Sequence, residues 1–133
     1  MTYAEYCERC QRVADLVDKQ QDYAAAVQVL QGLIDDVSLP DLDRSMMCLN
    51  VALVCEKMGH DEHALSWYEH AASIDRPMMR ATASMRKADK LIQMKRSADA
   101  IALYEDLLGE PFLAMSERHV IEHNLAALRA GKA

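Results

Sequence analysis

The sequence predicts a single all-α domain, and three features of its composition support this. Its 133 residues are about the length of one domain. It contains only four Gly and three Pro, fewer than a turn-rich β protein would need. Of its residues 51% are hydrophobic but only 5% are aromatic, and an excess of Ala, Leu, Val and Met favours helices over strands. No apolar run approaches the roughly 18 residues of a membrane span, so no membrane partner is expected.

The clearest pair of elements lies in the middle of the chain. Apolar residues recur at helical spacing through residues 51–58, and Gly59 then ends this helix. A second stripe with the same spacing runs through residues 64–72. It ends before Pro77, because the residue preceding a proline avoids the helical conformation. The unit is therefore a helix, a tight turn and a second helix.

This unit occurs three times, at spacings of about 36 to 38 residues. Two antiparallel helices approach closely only where small residues lie at their crossing, and a single pair cannot bury its apolar face without a stacked neighbour. At the places of the central turn glycine, the other copies have Gln21 and Lys95. The small residues that recur are Ala14, Ala52 and Ala88 on the first helix of each copy and Ala26, Ala64 and Ala100 on the second.

A further helix is predicted after the third copy, beyond the stop signal of Gly109 and Pro111. Ser116 followed by Glu117 is a candidate cap for its N-terminus. The predicted repeats span residues 5–38, 43–77 and 79–111, and the capping helix spans 116–130. The seven predicted helices cover residues 3–20, 22–36, 42–58, 61–75, 79–94, 97–108 and 116–130.

The middle copy resembles a tetratricopeptide repeat. It has the Asn-Val-Ala start at residues 50–52, the turn glycine, the Ala64, Tyr68 and Ala71 spacing, and the terminal proline. The resemblance implies a right-handed α-solenoid of antiparallel helix pairs, in which the first helix of each pair lines a concave groove. It also implies a scaffold or chaperone-like adaptor that binds a peptide or helix of a partner protein in that groove.

The resemblance places a row of side chains in the groove. Apolar residues among them predict an apolar floor for a partner, with packing inside the chain as the alternative. Some family members grip a C-terminal carboxylate with a clamp of Lys, Asn and Arg. Asn50 and Arg86 match two of its places, whereas Gln11, Asp15 and Thr82 stand where the family has Lys, Asn and Lys. The predicted groove residues are Gln11, Arg12, Asp15, Met46, Leu49, Asn50, Leu53, Met85, Arg86, Asp89, His123 and Asn124.

Charge is unevenly distributed along the chain, whose net charge is −6. Residues 76–96 carry seven basic residues and a single acidic one, Asp89. This segment could steer an acidic peptide into the groove, attract the acidic half of a second copy, or form a solvated helix face. The acidic balance elsewhere argues against nucleic-acid binding, which usually needs a broad basic surface.

Two short motifs suggest a metal site, each with a simpler explanation. Cys7 and Cys10 form a Cys-x-x-Cys pair inside a predicted helix, where core packing is the favoured interpretation over a zinc or redox site. His119 and His123 form a His-x-x-Glu-His pattern on the last helix, where solvated histidines are favoured over a metal-binding pair.

No catalytic constellation is present in the sequence. It has no Gly-rich phosphate loop and no Gly-x-Ser-x-Gly elbow. We therefore expect a binding module without a cofactor rather than an enzyme. The absence of a secretory signal pattern and the presence of only four cysteines predict cytoplasmic residence. The alternative function is self-association into a homodimer through the groove or the open end.

Overall fold

The computed structural model describes residues 1–131, and within that range it consists of helices without strands. The predicted all-α fold class with seven helices is confirmed, and every predicted boundary lies within three residues of the observed one. The α-helices are α1 (Tyr3–Asp18), α2 (Tyr23–Ile34), α3 (Asp41–Lys57), α4 (Asp61–Asp75), α5 (Thr82–Gln93), α6 (Ser97–Leu108) and α7 (Met115–Arg129), and Arg76–Met78 form a 3-10 helix.

Each helix packs mainly against the next one in the chain, from α1 and α2 through α6 and α7. The core consists of two neighbouring clusters, one centred on α2, α3 and α4 and the other on α5, α6 and α7. The crossing alanines are fully buried in every copy except at Ala14, which is half-buried. Ala14 differs because α1 begins the stack, so no earlier helix covers its other side.

The three turns inside the helix pairs each contain one residue in the left-handed backbone conformation. Gln21, Gly59 and Lys95 have φ angles of 51°, 76° and 63°, in the left-handed region. In the second and third turns the next residue closes the helix end, since the N–H of His60 donates to Cys55 O at 2.9 Å and the N–H of Arg96 donates to Leu91 O at 2.9 Å. In the first turn the N–H of Asp22 donates to Leu16 O at 2.8 Å, which spans one residue more. The second and third turns are therefore equivalent although only the second contains glycine, and the first is a longer variant with the same left-handed residue.

The predicted start of α5 at residue 79 is wrong, and a buried carboxylate explains the observed start at Thr82. Asp75 is buried and accepts hydrogen bonds from the hydroxyl of Ser45 at 2.6 Å and from the N–H of Ala83 at 3.0 Å. Through the second bond it caps the first turn of α5. The intervening residues form the 3-10 helix and a left-handed residue, Met79.

The predicted cap of the last helix is also wrong. Ala114 is the N-cap residue of α7, and Ser116 lies inside the first turn. Glu117 accepts a hydrogen bond from the N–H of Ala114 at 3.0 Å. Of the two residues of the predicted cap, Glu117 therefore takes part in capping α7 and Ser116 does not. Among the helices of residues 1–131, none combines the length and the apolar character that crossing a membrane requires.

Candidate binding groove

The predicted groove residues lie on α1, α3, α5 and α7, and all of them are at least partly exposed. They fall into an apolar group on α3 and α5 and a polar group on all four helices. Their buried neighbours on the same helices, such as Val51 and Ala88, belong to the two core clusters. Each of these helices therefore buries one face in the stack and presents the predicted residues on another.

Helix α3 carries a row of exposed apolar side chains. Met46 is 47% exposed and Leu53 is 38% exposed, whereas Leu49 and Met85 are half-buried and pack against the core clusters. Leu42, which the sequence prediction did not include, is 41% exposed and lies one turn before Met46. Leu42 lies four residues before Met46, and this helical spacing could have identified Leu42 from the sequence. We call Leu42, Met46, Leu49 and Leu53 the α3 stripe.

The polar groove residues of α1 are partly paired with each other. The side-chain amide of Gln11 donates to Asp15 at 3.1 Å, and Lys19 lies 3.4 Å from the same carboxylate. Together with Arg12, Gln11 and Asp15 line an open cleft of about 570 Å³. The carboxylate of Asp15 is therefore partly neutralised before any partner binds.

The polar groove residues of α5 and α7 meet at the hydroxyl of Tyr104. The side-chain amide of Asn124 donates to this oxygen at 3.0 Å. Burial raises the pKa of Asp89 above its ordinary value, although the nearby Arg86 and the Tyr104 hydroxyl act to lower that pKa. Asp89 and Asn124 thus lie beside the buried Tyr104, and Arg86 lies near Asp89. His123 is exposed and has no hydrogen bond or ion pair within residues 1–131.

A buried ammonium group lies beside the end of the α3 stripe. Lys90 is 4% exposed, and its Nζ atom lies 2.8 Å from Asp61 Oδ1 and 3.7 Å from Glu56 Oε1. Nζ also donates to Gln93 at 3.1 Å, and the Tyr68 hydroxyl donates to Glu56 at 2.8 Å. Burial and the Glu56 carboxylate raise the pKa of Tyr68.

The sequence interpretation did not single out Lys90, although the repeat pattern contained a signal. Lys90 occupies the place of Leu16 and Val54 in the earlier copies, and both of these are buried. A lysine at a core position requires a charged or polar partner. The Lys90 cluster lines an open cleft of about 550 Å³ together with Leu53.

The basic segment is largely paired with carboxylates, so most of its charge is not a free positive face, and the three alternatives for its role stay open. Five of its seven basic side chains pair with carboxylates, mostly on the preceding helix α4. Lys87 and Arg76 both lie 2.8 Å from Glu69, and they lower the pKa of Glu69 although burial acts in the opposite direction. Within residues 1–131, only Arg86 and Lys95 of this segment have no ion pair.

The cysteine motif is only partly explained by packing. Cys10 packs against the first core cluster and its burial raises its pKa, but Cys7 is exposed. Cys48, at the place equivalent to Cys10, is fully buried, and its burial raises its pKa to about 11. Both pKa shifts keep the thiols protonated and unreactive.

The histidines of the second motif lie on the surface of α7. His119 and His123 are both exposed. Over the described part of the chain, no group of three or more His, Cys, Asp or Glu side chains is arranged to hold a metal ion.

Comparison with protein-family models finds no match for this chain. Comparison with curated proteins finds no match either. Among solved structures, the chain is similar to the type III secretion translocator chaperone SycD of Yersinia enterocolitica, with a TM-score of 0.63 and 17% sequence identity. The similarity covers 99% of this chain and 88% of the SycD chain. At this identity the likeness concerns the fold, and it extends over nearly the whole stack of helices.

Proposed function

We propose that this chain is a protein-interaction module, a chaperone-like adaptor that holds an apolar segment of a partner protein in the groove of α1, α3, α5 and α7. The observation that carries the proposal is the α3 stripe. Neighbouring exposed apolar side chains on one helix face favour a binding surface, whereas single exposed ones need no explanation.

The exposed area of the stripe sets the scale of the apolar contribution. Leu42, Met46 and Leu53 each leave about two-fifths of their surface accessible. Burying the remainder is worth about 1 kcal/mol per side chain, since full burial of such a residue stabilises by roughly 1.5–3 kcal/mol. The stripe alone therefore supports weak binding, and contacts to Asn50 and Arg86 would add orientation and affinity.

The fold comparison supports the same class of function. SycD is described as a translocator chaperone, and its fold matches this chain from end to end. A shared fold does not carry a shared partner, because the groove side chains select the ligand. We therefore extend to this chain the role of holding another protein and leave the identity of that protein to experiment.

Affinity capture from the native host with mass spectrometry tests this proposal. The groove variant combines Leu53→Asp with Arg86→Ala. A matched control combines Val37→Asp, at a nearly fully exposed apolar residue between α2 and α3, with Lys95→Gly, in the last tight turn. Circular dichroism should show the same helicity for all three proteins.

We expect the wild type and the control to retain the same partners and the groove variant to lose them. The reason is that an aspartate at position 53 places a charge among the apolar contacts, where its desolvation is costly. If the groove variant captures the same partners as the wild type, the groove is not the binding site and the proposal fails.

A further inference from the structure

We infer that the occupant of the groove is an amphipathic α-helix that lies along α3, antiparallel to it, with basic residues toward its own C-terminal end. This inference rests on the proposed function and names the class of ligand. It is carried by the direction in which apolar side chains are arranged and by the charges at the two ends of α3.

The spacing of the α3 stripe suits a helix. Its residues are separated by four, three and four positions, which is the row that a helix presents to a parallel or antiparallel neighbour. At 1.5 Å per residue the row from Leu42 to Leu53 is about 16 Å long, or about three helical turns. A helix of that length could place its own three- and four-spaced apolar residues against all four side chains.

An extended peptide that crosses the groove would meet a different surface. By the repeat pattern, the places level with Leu53 are occupied by Asp15 and Asp89 on the neighbouring first helices. Among the predicted groove residues, the repeat pattern aligns only Leu49 and Met85 as apolar residues at the same place on two first helices. Apolar contact is therefore continuous along α3 and interrupted across it, which favours a helix lying along α3.

The charges at the ends of α3 give the occupant its direction. Asp41 and Asp43 lie in the first turn of α3, and Lys57 lies in its last turn. Lys57 is exposed and has no ion pair within the described residues, and the carboxylate of Asp41 has only a 3.6 Å contact to Arg44. Asp43 accepts one hydrogen bond, from the Tyr6 hydroxyl at 3.4 Å. The acidic neighbour of Lys57, Glu56, is already paired with Lys90 and with the Tyr68 hydroxyl, so Lys57 is the unpaired charge at this end.

A helix usually carries acidic residues in its first turn and basic residues in its last. In the antiparallel orientation those basic residues lie near Asp41 and Asp43, and the acidic ones lie near Lys57. The helix dipoles of the two elements are also opposed in this arrangement, so the side-chain charges and the dipoles favour the same direction.

Synthetic peptides provide the probes for a direct test on the full chain. The first is a peptide of about 16 residues with Leu at heptad positions a and d, Glu in the first turn and Lys in the last turn. In the second peptide, two non-Leu residues near the middle are replaced by Pro, which prevents the peptide from forming a continuous helix. The third has the Glu and Lys residues exchanged. Binding is measured by fluorescence anisotropy at low salt, and peptide helicity by circular dichroism.

We expect the first peptide to bind and to gain helicity, and the proline peptide to bind at least about tenfold more weakly. The charge-exchanged peptide should bind a few-fold more weakly, as expected for exposed ion pairs. The protein variant Asp41→Lys with Lys57→Glu should reverse the preference between the first and third peptides. Met46→Asp should abolish binding of the first peptide.

The remaining outcomes separate this inference from the proposed function. If the proline peptide binds as tightly as the first, the occupant is extended, which overturns the inference and leaves the groove function intact. If no peptide binds but the Leu53→Asp, Arg86→Ala variant loses its partners, the inference is likewise overturned. If no peptide binds and light scattering shows a concentration-dependent dimer that Met46→Asp abolishes, the stripe is occupied by a second copy, and the inference is again overturned.

Discussion

Replacing the buried Lys90 should separate the contribution of its aliphatic chain from that of its charge. The side chain is almost completely enclosed, and its ammonium group contacts Asp61, Glu56 and Gln93. Lys90→Met keeps an unbranched chain and removes the ammonium group. Lys90→Ala removes both, so the difference between the two variants isolates the packing contribution.

The burial of each partner sets the expected magnitudes. Asp61 and Glu56 have side chains that are 53% and 27% exposed, so water can replace the ammonium group in Lys90→Met. The variant loses a charge-assisted hydrogen bond worth about 1.5–3 kcal/mol, but it also avoids the cost of burying the ammonium group. We expect a net loss of about 0–2 kcal/mol in the free energy of unfolding.

Lys90→Ala should cost more because it also empties core volume. It removes about three methylene groups at about 0.8 kcal/mol each and leaves a cavity between α3, α4 and α5. The expected total loss is about 3–5 kcal/mol.

Urea unfolding followed by far-ultraviolet circular dichroism provides the measurement, with the fluorescence of the single tryptophan, Trp67, as a second probe. If Lys90→Met costs as much as Lys90→Ala, the stability at this position comes from the ion cluster and not from packing. If Lys90→Ala costs less than about 1 kcal/mol, the side chain does not fill core volume as described.

Two further predictions concern the turns and the groove carboxylate. Because a Cβ atom at Gly59 would meet open space, Gly59→Ala should lose only the left-handed backbone preference, about 1–2 kcal/mol in the free energy of unfolding. Lys95→Gly should leave the urea midpoint unchanged or raise the free energy of unfolding by up to about 1 kcal/mol, since Lys95 has a left-handed backbone that glycine adopts more easily. A destabilised Lys95→Gly would contradict the left-handed conformation of that turn. The raised pKa of Asp89 means that its ionised form is less favourable in the folded state. Because Asp89 is partly exposed and Arg86 and Tyr104 offset the effect of burial, Asp89→Asn should be only slightly more stable than the wild type at pH 7. Thermal unfolding should show this difference shrinking as pH falls through the raised pKa of Asp89, since the wild-type carboxyl is then protonated; a difference that does not change with pH would refute the burial effect.

The helical elements were predictable because their signals are local. Apolar spacing along residues 51–58 and 64–72 depends only on the 3.6-residue period, and it placed α3 and α4 within one residue of their observed ends. The starts of α5 and α7 were not predictable in the same way. Asp75 caps α5 from eight residues away, and Glu117 bonds to Ala114, a residue with no capping side chain.

The predicted groove residues lie on the first helix of each pair and on α7, and their role in binding stays a prediction. Their availability depends on neighbours that are distant in sequence. The Asn124 side chain is hydrogen-bonded to Tyr104, which lies 20 residues earlier, and no local sequence pattern indicates this contact. The basic segment shows the same limitation. Counting charges along the chain shows seven basic residues against one acidic residue, but it does not show that packing against α4 brings Glu69 to Lys87.

The amino-acid pattern alone was enough to predict a stack of three helix pairs and a final helix, because periodicity and small crossing residues act between neighbours in the chain. Which side chains remain free for a partner became known only from the packed helices. Packing places α3, α4 and α5 together, so that Lys90 is enclosed by Asp61 and Glu56 while Leu42 and Met46 stay exposed. Pairing and exposure depend on distances between separate helices, and those distances exist only once the helices have packed.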